Sequence, residues 1–286
     1  MKRENTMKTI GYYNGTIAPL EELMIPANDR SNYYADGVYD AAYGRNYKIF
    51  ALDEHIDRFF QSAALLKIAP PLSKEDLAGL LGNLVKKLDC GDQWVYLQLS
   101  RGTDLRNHAF PAKEIPANLW IMLRPAQIRD TYKTLRCITR EDTRFFHCNV
   151  KSLNLIPNIL CKQAAEEAGV DECILHRGDT VTECSHSNLF ILKDGVMITH
   201  PANERIYAGT GRAHLITACR EHNIPVAEKT YTVAELMEAD EVIITSASAL
   251  CMRVGEVDGI PVGGKAPETL KALQDALLKD YLEKTE

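Results

Sequence analysis

The chain has 286 residues, of which 45% are hydrophobic and 25% charged, and a formal net charge of −6. That is the balance of an ordinary globular protein, and without a run of like charges it argues against nucleic acid or an anionic membrane as the main partner. The length predicts one large or two medium domains, with a core that needs no cross-links.

The N-terminus, MKRENTMKTIGYYNG, carries charge without an apolar segment behind it, and no apolar run approaches a membrane-spanning length. Neither a secretory leader nor a membrane is therefore expected. Strand-like runs follow at KTIGYYNGTI and GVYDAAY. DEHIDRFFQSAALLKI predicts a helix with Ile56, Phe59, Phe60, Ala63 and Leu66 inward. The clearest helix is SKEDLAGLLGNLVKKLDCG, opened by Ser73 and Asp76 and striped by Leu77, Leu80, Leu81, Leu84, Val85 and Leu88. WVYLQLS and NLWIML are further strands, and RPAQIRD at 124–130 is the best linker.

Beyond the linker, LRCITRED leads to a helix in which Ile156, Ile159, Leu160, Gln163, Ala164 and Ala168 recur at helical spacing before Gly169. Two hairpins turn at Gly178-Asp179 and Asp194-Gly195. A helix from Gly211, a short one capped by Thr232 and Glu235, the strand EVIITSAS and a terminal helix, PETLKALQDALLKDYLEK, complete the chain. The strand-rich second half predicts an α+β or closed-barrel domain rather than a doubly wound one. No G-x-G-x-x-G joins a strand to a helix, so a dinucleotide site has no support. Eight scattered cysteines without a C-x-x-C pair read as small buried hydrophobes, which predicts a reducing, cytoplasmic compartment and no metal site.

Lys151 stands between Val150 and Leu153 at the entry of a helix. A lysine is ordinarily a solvated surface residue, but apolar surroundings disfavour an ammonium and expose a nucleophilic amine, as Schiff-base chemistry requires. Glu183 alone reads as a hairpin glutamate, Arg58 as part of a solvated helix face, and an R-x-H pair such as Arg106 and His108 as casual loop charges. The glycine turn at Gly209 to Gly211 reads equally as a plain helix start or, since helix N-termini attract anions, as a phosphate seat.

Taken together, DRSNYYADGVYDAA, LDEHIDRFFQSA, RGTDLRNHAFP, VKSLNLIPNILCKQAAEEAG, TVTECSHSN and YAGTGRAHLI occur in the order that resembles class IV pyridoxal-phosphate-dependent aminotransferases, the D-amino-acid transaminases above all. The resemblance covers nearly the whole chain. It implies an α+β, two-domain PLP fold type IV: a small α/β N-terminal domain at 1–125, a linker at 126–132, and a larger strand-rich pseudo-barrel domain at 133–286 carrying the Schiff-base lysine. It also implies pyridoxal 5′-phosphate as cofactor and transfer of an amino group from a D-amino acid to a 2-oxo acid.

Residue by residue, Lys151 matches the Schiff-base and proton-transfer lysine, Glu183 the carboxylate of the pyridine nitrogen, and Arg58 a phosphate arginine. Gly209, Thr210 and Gly211, with Ser246, Ala247 and Ser248, match the phosphate loops. Tyr39, Arg106 and His108 match the trap for the substrate α-carboxylate, a sound combination because guanidinium, imidazolium and phenol all donate to carboxylate oxygens. In the family that loop reaches into a neighbouring subunit, which implies a homodimer.

The pattern also departs from its relatives, which commonly read G-[IV]-T-R at 209–212, a threonine at Ala247, E-[IV]-T-P-V at 250–254 and a serine at His186. Losing neutral hydrogen bonds of about 1 kcal/mol each predicts a looser hold on the cofactor. His186 and Arg253 become candidates for altered side-chain specificity. The alternatives are a branched-chain aminotransferase or aminodeoxychorismate lyase of the same fold, or a cofactor-binding protein without turnover.

Overall fold

A computed structural model describes residues 9–286; Met1 to Lys8, on which part of the N-terminal reading falls, lie outside the described residues. The chain divides into two compact units. The first comprises the described residues up to Gln127, with Val150–Asn154 and Leu282–Glu286; the second comprises Ile128–Asn149 and Leu155–Tyr281. No helix among the described residues is long and apolar enough to cross a membrane.

The first unit is built from β1 (Ile10–Tyr13), β2 (Thr16–Pro19), α1 (Arg30–Tyr34), β3 (Gly37–Arg45), β4 (Lys48–Ile49), α2 (Leu52–Leu65), α3 (Lys74–Leu88), β5 (Gln93–Ser100) and β6 (Asn118–Pro125). Its antiparallel sheet has the order β2-β1-β6-β5-β3-β4. Side chains alternate across a strand, so Val38, Val95, Leu97, Leu99, Leu119, Ile121 and Leu123 share the core with Ile56, Phe59 and Ala63 of α2 and the leucine stripe of α3. Ser73 caps α3 by accepting the Asp76 N–H at 3.0 Å, as its sequence predicts.

The second unit holds β7 (Leu135–Glu141), α4 (Ile156–Glu167), β8 (Glu172–Arg177), β9 (Thr180–Cys184), β10 (Asn188–Lys193), β11 (Val196–Thr199), α5 (Thr210–Glu221), β12 (Val226–Glu228), α6 (Val233–Met237), β13 (Glu241–Thr245), β14 (Met252–Val257), β15 (Ile260–Pro261) and α7 (Pro267–Lys284). A curled mixed sheet runs β12-β11-β10-β13-β14-β7-β8-β9, with β15 beside β14. Asp194 and Gly195 both take positive φ at the β10–β11 turn, the conformation that a two-residue hairpin demands. Thr232 and Glu235 form the expected reciprocal cap on α6.

Two features differ from the sequence expectation. The large apolar residues at helical spacing in α4 do not lie on its buried face: Ile156, Ile159 and Leu160 are 67%, 58% and 65% exposed. The small residues Cys161, Ala164 and Ala165 pack instead against Ile138, Cys173 and Leu175, because small side chains allow close approach to a sheet.

Lys151, expected in the second domain, groups with the first unit. The cause is a backbone seam. Tyr39 N–H donates to the Lys151 carbonyl at 2.9 Å, Leu153 N–H donates to Gly37 O at 3.1 Å, and Val150 joins the first core. Gly37 makes the seam possible, since a Cβ there would run into the Leu99 carbonyl oxygen and lie 2.9 Å from the Leu153 side chain. Gly37→Ala is expected to cost about 2 kcal/mol through this overpacking, read as a lower urea midpoint. An unchanged midpoint would show that the seam has slack.

Candidate active site

In the first unit, Lys151 is held by its backbone: its N–H donates to Ser62 Oγ at 3.2 Å and its carbonyl accepts from Tyr39. Its Nζ lies 4.6 Å from the centre of the Tyr39 ring, which stacks on Tyr96 at 5.7 Å. The seam therefore brings the amine and one phenol together.

Arg58 does not lie on a solvated face. Asp57 beside it is exposed and pairs with Lys74 at 2.6 Å, whereas Arg58 turns inward and grips Asp40 with Nε and Nη2 at 2.8 and 2.7 Å. Asp40 is fully buried on the core face of β3, and His55 Nδ1 meets the same carboxylate at 2.7 Å. Burial alone would raise the Asp40 carboxyl, but Arg58 and His55 hold it well below the usual range. Burial likewise pushes His55 down, against the pull of Asp40, which favours a neutral ring donating Nδ1–H. Neither Asp40 nor His55 is singled out by sequence spacing, since a carboxylate at a core-facing strand position breaks the apolar alternation.

Arg106 and His108 are both brought to one aromatic ring, that of Tyr34 on α1, at 5.1 and 5.2 Å from its centre. Their ring contact is thus with Tyr34, while Tyr39 contacts Tyr96 and the Lys151 amine.

In the second unit Glu183 is buried near the end of β9. Its oxygens accept from Arg144 Nη1, from Asn188 Nδ2 at 2.8 Å and from the Tyr207 N–H at 3.1 and 3.2 Å. Arg144 also pairs with Asp142 at 2.8 Å. Burial would lower the Arg144 guanidinium, but Asp142 and Glu183 hold it well above its ordinary value. Asn188 goes further: its Nδ2 also donates to Tyr207 O at 2.6 Å, and its Oδ1 accepts the Gly209 N–H at 3.0 Å. One amide thus ties the Glu183 carboxylate to the turn that opens α5. Arg144 and Asn188 carry no assigned role in the sequence; Asn188 sits inside the quoted motif TVTECSHSN, five residues after Glu183.

Gly209 caps α5 without a side-chain bond, so the first-turn N–H groups of a twelve-residue helix are left to other acceptors. A Cβ at Gly209 would strike Asn188 Oδ1, and one at Gly211 would lie 3.0 Å from Ser246 O and 3.2 Å from Ser246 N. The Ser246–Ala249 turn, closed by Ser246 N–H to Ala249 O at 2.8 Å, therefore packs backbone to backbone on Gly211. A side chain at Gly211 would need this turn to give by a few tenths of an ångström. An uncapped helix start bordered by glycine and serine turns fits a phosphate, and a buried, well-compensated carboxylate fits a protonated ring nitrogen. The donor set fits pyridoxal phosphate.

His186 and Arg253 each lean on a buried carboxylate. His186 is half-exposed with Nδ1 2.8 Å from Glu172, and Arg253 Nε lies 3.4 Å from Glu241.

The profile of the family "Amino-transferase class IV" matches residues 37–257. D-alanine aminotransferase of Listeria monocytogenes serotype 4b (strain F2365) is 38% identical, covering 91% of this chain and 92% of that protein. D-alanine aminotransferase of Staphylococcus haemolyticus is 34% identical over 95% and 97%. Among solved structures, the branched-chain aminotransferase of the thermophilic archaeon Thermoproteus uzoniensis with norvaline superposes with a TM-score of 0.87 at 22% identity, covering 98% of this chain and 96% of that one. The branched-chain amino acid aminotransferase of Escherichia coli likewise gives 0.87 at 22%, over 98% and 96%. The chain belongs to the class IV aminotransferases, a family of pyridoxal-phosphate-dependent enzymes.

Asp40 generates a pH prediction. Its folded-state carboxyl is held below the unfolded value near 3.9, so its stabilisation is present above about pH 4 and is lost as pH falls towards the folded value. Asp40→Asn is expected to lower stability at neutral pH by about 3 kcal/mol, since Arg58 would lose its carboxylate. It should also reduce the slope of unfolding free energy between about pH 4 and pH 2 by up to about 1.4 kcal/mol per pH unit. Denaturant titrations across that range check both, and an unaltered acid slope would remove Asp40 as the source.

Proposed function

We propose that this aminotransferase acts on D-amino acids, passing the amino group of a donor such as D-alanine or D-glutamate to a 2-oxo acid such as 2-oxoglutarate or pyruvate. The observation that carries the reading is the convergence of Arg106 and His108 on one ring, in a chain 34% and 38% identical to two D-alanine aminotransferases. An arginine fork and an imidazole gathered at one ring suit an α-carboxylate, which can accept from both.

Pyridoxal phosphate, when bound, supplies an electron sink for negative charge at the substrate Cα. Lys151 would contribute the amine that retains the cofactor and, once freed by substrate, would take the proton from the substrate Cα as base and deliver it to the cofactor as acid. Glu183 contributes a fixed negative charge for the ring nitrogen, steadied by Arg144 and Asn188. Gly209, Thr210 and Gly211 contribute backbone donors for the phosphate, with Ser246 and Ala247 beside them and Arg58 held in place by Asp40.

Arg106, His108 and Tyr39 bind the substrate carboxylate. The separate ring contacts of the Arg106–His108 pair and of Tyr39 support a homodimer in which the loop of one copy serves the other. His186 and Arg253 bear on side-chain preference. Eight unpaired thiols support a reducing, cytoplasmic setting.

The test is the visible absorption of the cofactor-loaded protein. D-alanine or D-glutamate should bleach the band, L-leucine should leave it, and Lys151→Ala should lack both the response and turnover, a loss of at least about a thousandfold. Bleaching by L-leucine alone would point to a branched-chain aminotransferase, and a band inert to every amino acid to a protein that binds without turnover. Dialysis of the same sample reads the looser hold expected from the altered phosphate turns, as loss of the band without added cofactor.

A further inference from the structure

We infer that Arg30 is the positioning residue of the loop carrying Arg106 and His108, and that it sets how His108 meets the substrate carboxylate. The inference rests on the carboxylate reading of that loop. Arg30 is buried at the first position of α1, with its N–H on the Gly102 carbonyl at 3.0 Å. Its Nη1 donates to the carbonyls of Asn107, at 2.6 Å, and Ala109, at 3.1 Å. These are the two neighbours of His108. Asn107 closes the turn from the other side, accepting the Ala109 N–H on its side-chain oxygen at 3.2 Å. An exposed histidine on an irregular loop thus has the backbone pinned on both flanks by one guanidinium.

The guanidinium is itself fixed. Arg30 Nε donates to Asp36 at 2.8 Å, and Asp36 also takes Arg101 through Nε at 2.9 Å and Nη2 at 3.0 Å. Arg101 in turn lies 3.7 Å over the Phe110 ring and donates to the Lys67 carbonyl at 3.3 Å. One carboxylate therefore anchors both ends of the stretch from Asn107 to Phe110.

Arg30 also stacks on Tyr34 at 5.0 Å, the ring that Arg106 and His108 share. Among the described residues, neither Arg106 nor His108 has a side-chain hydrogen bond or ion pair. Their placement accordingly depends on the turn beneath them and the ring beside them, both of which Arg30 touches. Only a planar fork reaches a carboxylate, two carbonyls and a ring face together; a lysine ammonium is a single point of charge.

The experiment is a double-mutant cycle on the cofactor-loaded enzyme with D-alanine and 2-oxoglutarate. Arg30→Lys is expected to raise KM for D-alanine about tenfold, with kcat within about twofold and the absorption of the free enzyme unchanged. In a His108→Ala background the same substitution should change KM by less than about twofold, because its effect passes through His108. Asn107→Ala, which removes the turn bond without disturbing a buried charge, should raise KM with the same dependence on His108 and serves if Arg30→Lys folds poorly.

An equal factor in both backgrounds, or a fall in kcat and cofactor absorption at constant KM, would overturn the inference by making Arg30 merely structural. If Arg106→Ala and His108→Ala raise KM while Arg30→Lys and Asn107→Ala do not, the inference alone fails. If Arg106→Ala and His108→Ala leave KM unchanged, the carboxylate reading fails and takes the inference with it.

Discussion

An ionised carboxylate removed from water costs several kcal/mol unless cations and hydrogen-bond donors replace its hydration, and that requirement organises the polar interior of both units. Asp40 occupies a core position of β3 where a valine would satisfy the packing. It draws Arg58 and His55 inward from one face of α2. Glu183 does the same in the second unit, drawing Arg144, Asn188 and the Tyr207 N–H, and Asn188 passes the constraint on to the Gly209 turn. Each such cluster is weak evidence for net stability, because apolar side chains of equal volume would often serve better. What a compensated cluster supplies is a small set of charges whose positions do not relax, which is the property electrostatic catalysis uses.

Backbone geometry performs the complementary task for Lys151. A lysine side chain has four soft torsions, so its amine is only as well placed as the chain beneath it. Here the carbonyl and N–H of Lys151 are both engaged, and the neighbouring Leu153–Gly37 bond needs a residue without Cβ at Gly37. The same economy recurs at Gly211, where the Ser246 backbone lies close enough that a Cβ would sit 3.0 Å from its oxygen. A glycine there leaves out a side-chain hydroxyl and lets the Ser246 backbone lie close to its own.

Periodic and local features were legible in the sequence. The span of α7, the cap of α6, the Asp194-Gly195 turn and the stripe of α3 all follow from chemistry within a few residues. The motifs also carried the family. What local chemistry could not reveal was partnership across long separations: Arg144 with Glu183, 39 residues on, or Asn118 with Asp29, 89 residues back. Arg58 illustrates the point. Its helical position alternates with an exposed Asp57, and only the distant Asp40 determines that it turns in. The α4 stripe errs in the opposite direction, since apolar periodicity reports that a face wants cover without saying which face the sheet takes.

The groups assigned to the cofactor and those assigned to the substrate are held by forces of different size. Glu183, Arg144, Asp40 and Arg58 are locked by charged hydrogen bonds in buried surroundings, the strong kind. Arg106 and His108 rest on an aromatic ring at an exposed loop, where a cation–ring contact is worth about 0.5–1 kcal/mol. A transaminase meets two different carboxylates in each cycle and must release each product. Weakly tethered side chains can follow those exchanges at little cost, provided the backbone beneath them does not wander. A pinned turn whose side chains rest on a ring rather than in ion pairs meets that condition, whereas ion-paired side chains would have to break a charged bond at every exchange.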